Sequence, residues 1–404
     1  MKSFSENTFK LIFSISLIIT ATSVANPAGD LFQIIGSFKV SDIVFLIVLF
    51  GLLFVTRYYG HTALSIKSSP CVSALLFSFF FFVVLSILAN IGFMSERMLM
   101  HLLRLMYYIC ISYVFSYIST YYMSAQQILF AMYVGACAMC LSILYMMFFL
   151  DMGQIYGNEI RKLDSVLGAN PVATYAAIFF PIGLFFIKES SGFFVRALFL
   201  LSLGLLVAAA LLSESKAAWL AMIVSFFIFF ISLNKKQKLL TIVLTLLIFW
   251  LAFDYIYTII SLEIGSSISN SMQRFDMLVA ALDYFANNPF FGIGPSNYVV
   301  ISPYGTEPHS AYALIFAELG FFGGAAYVLL IFSMFIKLFR HRHDKTNQLL
   351  MMVIANIAVL SLFTGLVSTQ IILYIFIGLY FGQMARLKMG SSEMSKYYIN
   401  SKAN

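Results

Sequence analysis

A few polar side chains stand out in a chain with very little charge. His309, in Pro308-His309-Ser310, stands at the mouth of a long apolar segment. Histidine is the natural proton acceptor near neutral pH. An ionisable group at the edge of a membrane segment is a functional candidate by default. The alternative is an interfacial histidine bonded to water or loop carbonyls, and the chemistry alone leaves both roles open. Arg274 falls in the first turn of a helix expected over 272–286. The helix dipole disfavours a cation there, so another reason is needed, and a guanidinium aimed at a phosphate is one. Arg161-Lys162, before Asn170-Pro171, and Lys216, at the end of an apolar segment, add further cations. Each of these could equally be a snorkelling anchor. Gly292-Ile293-Gly294-Pro295 offers tight turns or close backbone approach. On its own a G-x-G of this kind is a weak sign of ligand contact.

The elements that must position these residues follow from composition. Of 404 residues 61% are hydrophobic and only 10% charged, whereas soluble domains carry roughly 25% charged residues. Aromatics reach 17%, with 44 Phe and 23 Tyr, which suits lipid-facing helices with interfacial belts. The net charge of +7 is spread along the chain rather than clustered on one soluble face, so it reads as a topology signal and not as a nucleic-acid footprint. Crossing the hydrocarbon core takes about 20 apolar residues, and unpaired backbone groups in lipid restrict the spans to helices or a closed barrel. The apolar runs are continuous rather than alternating, so the expected fold is all-α and polytopic. About twelve spans are expected: 9–28, 41–56, 71–93, 101–120, 126–150, 170–187, 194–212, 217–233, 239–258, 311–336, 348–367 and 368–387. The first has signal-peptide features, but it is read as a membrane helix because the rest of the chain is as hydrophobic.

With the N-terminus placed inside, seventeen of the 24 Lys and Arg face the cytoplasm. The remaining seven, including Arg161, Lys216 and Arg274, face the opposite side together with His309. This asymmetry predicts both termini in the cytoplasm. Residues 1–388 then form one transmembrane domain, and 389–404 a polar cytoplasmic tail expected to be disordered. The outer loop 259–310 is the longest and carries the chemistry-bearing residues. Within it, Phe275, Leu278, Val279, Leu282 and Phe285 recur at helical spacing after Ser271, a candidate N-cap, which predicts an amphipathic helix at the membrane surface. Mid-helix positions are nearly free of charge, which argues against an ion-coupled transporter and for chemistry at the outer surface. Cys137 and Cys140 form a C-x-x-C inside an apolar run and read as small core fillers. No His or Cys pairs with them at metal-ligand spacing.

The segment Arg274 … Asn288-Pro289 … Gly292-Ile293-Gly294 … His309-Ser310 … Gly320-Phe321-Phe322-Gly323 resembles the O-antigen ligase/polymerase superfamily. His309-Ser310, nine residues, Gly320, two residues and Gly323 fit the pattern H-[NSQ]-x9-G-x-x-[GTY] of O-antigen ligases. Ser213-Glu214-Ser215-Lys216-Ala217-Ala218-Trp219-Leu220 is similar to the S-x-S-R-G-x-W-L element, with Lys216 where the family usually has Arg. That exchange keeps the charge and loses the bidentate fork.

The resemblance implies a glycosyltransferase of the GT-C type in the bacterial inner membrane, working on the periplasmic face. The implied donor is a glycan on undecaprenyl pyrophosphate, and the implied acceptor is lipid A-core in a ligase or another repeat unit in a polymerase. By matching positions, Arg274 and Lys216 would bind the donor pyrophosphate, and His309 would deprotonate the acceptor hydroxyl or orient the donor. Ser310, Gly292, Gly294, Arg161 and Glu307 are the other expected substrate contacts, with Glu318 a candidate helper. The leaving group is already good, so neither a carboxylate pair nor a metal is required, and attack from the opposite face predicts inversion. Ligation to lipid A-core is the leading expectation, with the His309 pattern behind it. Repeat-unit polymerisation is the alternative, favoured by Arg161 and Asn170-Pro171. A transporter or flippase of the lipid-linked glycan is a third, and it would place charges inside the helices. No cofactor is expected. Expected partners besides donor and acceptor are membrane lipids, without nucleic acid.

Overall fold

A computed structural model describes residues 69–93, 96–149, 169–213, 215–231, 272–364 and 371–403, with a few residues near the N-terminus and between 233 and 242. The fold is an all-α helical bundle of membrane type. In chain order the helices are α1 (Pro70–Ala89), α2 (Glu96–Tyr121), α3 (Ala125–Phe149), α4 (Ala169–Glu189), α5 (Phe193–Leu212) and α6 (Lys216–Ile231). Then come α7 (272–287), the one-turn helix Tyr298–Ile301, α8 (Ala311–Arg340), α9 (Lys345–Phe363) and α10 (Ile371–Ala403). The only sheet among the described residues is a two-stranded hairpin, Gln33–Ile35 with Phe38–Lys39.

Eight of these helices are long and apolar enough to cross a membrane, and the 16-residue α6 is a shorter apolar helix. They coincide with the expected spans between 71 and 387 to within a few residues at most ends. Apart from α10, which runs past 387, the largest differences are at α2, which starts five residues earlier, and at the C-termini of α1, α8 and α9, which shift by four residues. The expected span 41–56 lies outside the described residues, as do most of 9–28 and 239–258. α10 continues helical past 388, the expected end of the membrane domain, through Ala403. No proline follows Gly390, and Glu393, Met394 and Lys396 are good helix formers.

Tight connections at 190–192 and 341–344 make neighbouring helices antiparallel. The two ends of the bundle therefore differ in chemistry. At one end Lys345 pairs with Glu189, Lys188 Nζ reaches Gln348 Oε1 at 3.4 Å, and Arg386 donates to the Met123 carbonyl at 3.0 Å. There too Lys337 Nζ donates to Ser69 Oγ at 3.0 Å. At the other end α1 and α2 meet the segment 288–310. Between the ends the interior is apolar, with a few satisfied polar ties. Asn356 on α9 donates to the Ala177 carbonyl of α4 at 2.6 Å and accepts from Ser225 on α6. Cys140 is buried and Cys137 half-buried on α3, within this core, as fillers.

A second, smaller core lies under α7. Ala281, Ile293, Tyr298, Ala313, Leu314 and Ala317 form it, with Leu278 and Tyr284 against it. It joins α7 to the first turns of α8.

Candidate active site

The helix expected over 272–286 is present as α7, while its expected cap Ser271 lies outside the described residues. Ala281 belongs to the small core and Met277 is buried, whereas Phe275, Val279 and Leu282 point outward, with Phe275 64% exposed. An outward apolar stripe of this kind suits a helix lying at a membrane surface. Arg274 sits exposed in its first turn.

After α7 the chain turns at Asn288-Pro289 and lays 289–294 against α8. Gly320 breaks α8 there, with φ 68° and ψ −167°. That backbone region is essentially restricted to glycine. The break frees the carbonyls of Ala317 and Glu318, which accept from Ile293 N and Gly294 N, each at 3.0 Å. Phe321 N in turn donates to the Pro289 carbonyl at 2.7 Å. A Cβ on Gly292 would stand 2.3 Å from the Glu318 carbonyl carbon, and one on Gly320 would stand 2.4 Å from Phe290 C. The two glycines face each other across a backbone-to-backbone contact.

This contact gives Gly292 and Gly294 a packing role. Their N–H groups donate to Asn288 O and Glu318 O, which holds the turn in place. Two helices distant in sequence secure the same loop. The Ser86 hydroxyl donates to Phe291 O at 2.6 Å, with Glu318 O 2.9 Å from the same oxygen. Asn90 Nδ2 donates to Gly292 O at 3.2 Å. From α2, His101 Nδ1 lies 3.1 Å from Ser296 Oγ, and Ser296 adopts a positive φ of 60°. Asn297 ties its side chain to Ile293 O at 2.7 Å.

Ser310 is the N-cap of α8, its Oγ accepting from Ala313 N at 3.3 Å. His309 therefore projects from the residue just before a capped helix, half-buried. Ala311 N donates to Thr364 O at 3.0 Å, which ties this corner to the end of α9. Burial holds the His309 imidazole below its ordinary pKa, and the Arg274 guanidinium adds to the same effect. A lowered pKa leaves the ring neutral at pH 7, the form a proton acceptor needs. Burial raises the Glu307 carboxyl above the usual carboxylate range. Arg274, Glu307 and His309 thus share one end of the bundle, with Arg274 and His309 within electrostatic reach of each other.

Lys216 is the first residue of α6. From the Ser225–Asn356 tie, Lys216 lies nine residues back on α6 and Thr364 eight residues on along antiparallel α9. At 1.5 Å per residue both rise about 12–14 Å, so Lys216 reaches the level of Thr364 and hence of His309. Arg161 lies outside the described residues. Among the described residues no three His, Cys, Asp or Glu side chains gather as a metal site. The ties from Ser86, Asn90 and His101 escaped the sequence reading. The signal that could have found them was their polarity within apolar segments.

Such an arrangement defines a class: a polytopic helical membrane protein in which His309, Arg274 and Lys216 lie at the end where the segment 288–310 folds back on the bundle. Residues 197–328, 132 of the chain's 404, match the family model described as O-antigen ligase. This match spans Lys216, Arg274, Glu307 and His309 and supports the O-antigen ligase/polymerase superfamily that the motifs resemble. No curated protein matches the chain closely enough to count as a relative.

Proposed function

We propose that the protein transfers a glycan from undecaprenyl pyrophosphate to lipid A-core at the periplasmic face of the bacterial inner membrane. The carrying observation is that the helix bearing Arg274 and the helix that follows His309 are joined by one small core at the same end of the bundle, within a segment that matches O-antigen ligase. Lys188, Lys337, Lys345 and Arg386 lie at the opposite end. By the positive-inside rule that end is cytoplasmic, and the end bearing His309 is periplasmic.

Neutral His309 accepts the proton of the attacking sugar hydroxyl. The new bond forms between that oxygen and the anomeric carbon while the bond from the anomeric carbon to the pyrophosphate oxygen breaks. The leaving group departs on the opposite face of the ring, so the configuration inverts. Arg274 and Lys216 meet the charge that develops on undecaprenyl pyrophosphate. The leaving group needs no protonation, so the mechanism requires no second carboxylate and no metal. Glu307, whose carboxyl burial raises above the usual carboxylate range, offers the sugar a hydrogen-bonding contact.

The test is H309A in the native host, with protein levels checked and lipopolysaccharide resolved on a gel. Loss of the long-chain ladder, with core lipid intact and polymerised glycan retained on undecaprenyl pyrophosphate, is the expected result. A single repeat unit still reaching the core would identify a repeat-unit polymerase instead. An unchanged ladder would make His309 an interfacial anchor and end this account.

A further inference from the structure

Arg274 and His309 sit on different elements, and something must fix their separation. Arg274 belongs to α7, and His309 precedes Ser310, the N-cap of α8. Tyr298 bridges the two. Its ring is fully buried at the centre of the small core between α7 and α8. Its hydroxyl donates to the Met277 carbonyl at 2.8 Å, one turn along α7 from Arg274. Tyr284, also on α7, stacks edge-on against the ring at 5.7 Å and donates its own hydroxyl to Ile301 O at 3.2 Å. On the α8 side the Tyr298 backbone N–H donates to Glu318 Oε1 at 3.2 Å. Glu318 is itself buried, 5% exposed, and its carbonyl accepts from Gly294. One residue therefore bonds α7 through its hydroxyl and α8 through its amide.

We propose that Tyr298, seated by Glu318, is a positioning residue that sets the distance between Arg274 and His309 for glycan transfer. This inference rests on the proposed function and adds residues that the motif leaves out. Neither side chain needs to touch substrate. Met277 O is bound by a rigid aromatic with only two side-chain torsions, so α7 cannot slide along α8 without breaking that bond. Glu318 acts through an acceptor oxygen rather than through charge, because its partner is a neutral amide. A glutamine keeps that oxygen and a leucine does not.

The experiment measures steady-state transfer from a lipid-linked glycan to lipid A-core, using the full chain in proteoliposomes. Y298F keeps the buried ring and removes only the hydroxyl bond to Met277. The expected result is a fall in kcat of about tenfold with donor and acceptor KM unchanged and thermal stability close to wild type. Combined with R274K, Y298F should add little further loss, because both changes act on the same guanidinium. E318L should resemble Y298F, and E318Q should restore most of the rate.

Each of the following results would overturn the proposal. Wild-type kcat in Y298F would show that the bond positions nothing that matters. Fully additive losses with R274K would mean that Tyr298 acts elsewhere. An inactive but folded E318Q would make Glu318 a proton carrier. H309A and R274A that both transfer at the wild-type rate would remove the proposed function itself, and this inference with it. An inactive H309A beside an unaffected Y298F would overturn this inference alone.

Discussion

Gly320→Ala tests the joint on which the site is built. At φ 68° and ψ −167° an alanine carries a backbone strain of roughly 1–3 kcal/mol. Its Cβ would also stand 2.4 Å from Phe290 C and O. Ordinary contact begins near 3.4 Å, so the loop must retreat by about 1 Å. That retreat takes the 2.7 Å bond from Phe321 N to Pro289 O beyond hydrogen-bond range. It also strains the bonds from Ile293 N to Ala317 O and from Gly294 N to Glu318 O. Each is worth about 0.5–1.5 kcal/mol net. The joint should weaken by about 3 kcal/mol or more, a shift of over a hundredfold in local opening. Hydrogen exchange at residues 291–294 and 321 reads this directly, alongside glycan transfer. Gly305→Ala is the control, since Gly305 also has a positive φ, 63°, but nothing within 4 Å of a new Cβ. It should cost only about 1–2 kcal/mol. Equal protection and equal activity in the two variants would refute the reasoning.

The remaining expectations concern the charged and capping residues. Burial and Arg274 both hold the His309 pKa below 6.5, so transfer should fall only as pH drops below 6.5 and His309 becomes protonated. R274A removes one of the two causes, and the acid limb of its pH–rate profile should move to higher pH as the rate drops; an unmoved limb would separate the two residues. S310A removes the acceptor for Ala313 N and should destabilise the protein by about 1 kcal/mol in thermal unfolding, with S310N close to wild type. K216R restores a bidentate fork and should keep or lower the donor KM, whereas K216A should raise it; equal KM in all three would remove Lys216 from the donor site.

Much of the fold was legible in the sequence because a bilayer imposes one rule on every span. Phe193–Leu212 and Ala311–Arg340 were read from apolar length alone, and their starts fall within one residue of expectation. Charge placement separated the two ends because Lys188, Lys337, Lys345 and Arg386 gather at one of them. The helix carrying Arg274 was visible from its spacing, although its exposed stripe and the buried pair Met277 and Ala281 could be told apart only in three dimensions. The break at Gly320 was not visible, since glycine within an apolar helix has many uses. Nor was the tie from Ser86 to Phe291, 205 residues away, for which local periodicity carries no signal. The backbone-to-backbone contact at Gly292 and the capping of α8 by Ser310 were not visible either, because both depend on where α8 lies against the loop.

In the proposed function His309 and Arg274 carry out glycan transfer from a lipid pyrophosphate. The most direct measurement uses purified protein in proteoliposomes with a defined lipid-linked glycan and lipid A-core. Glycosylated acceptor and free undecaprenyl pyrophosphate are followed together. The account predicts that both appear in equal amounts with the wild type and that neither forms with H309A. Transfer by H309A at the wild-type rate, or appearance of the lipid pyrophosphate without glycosylated acceptor, would contradict it.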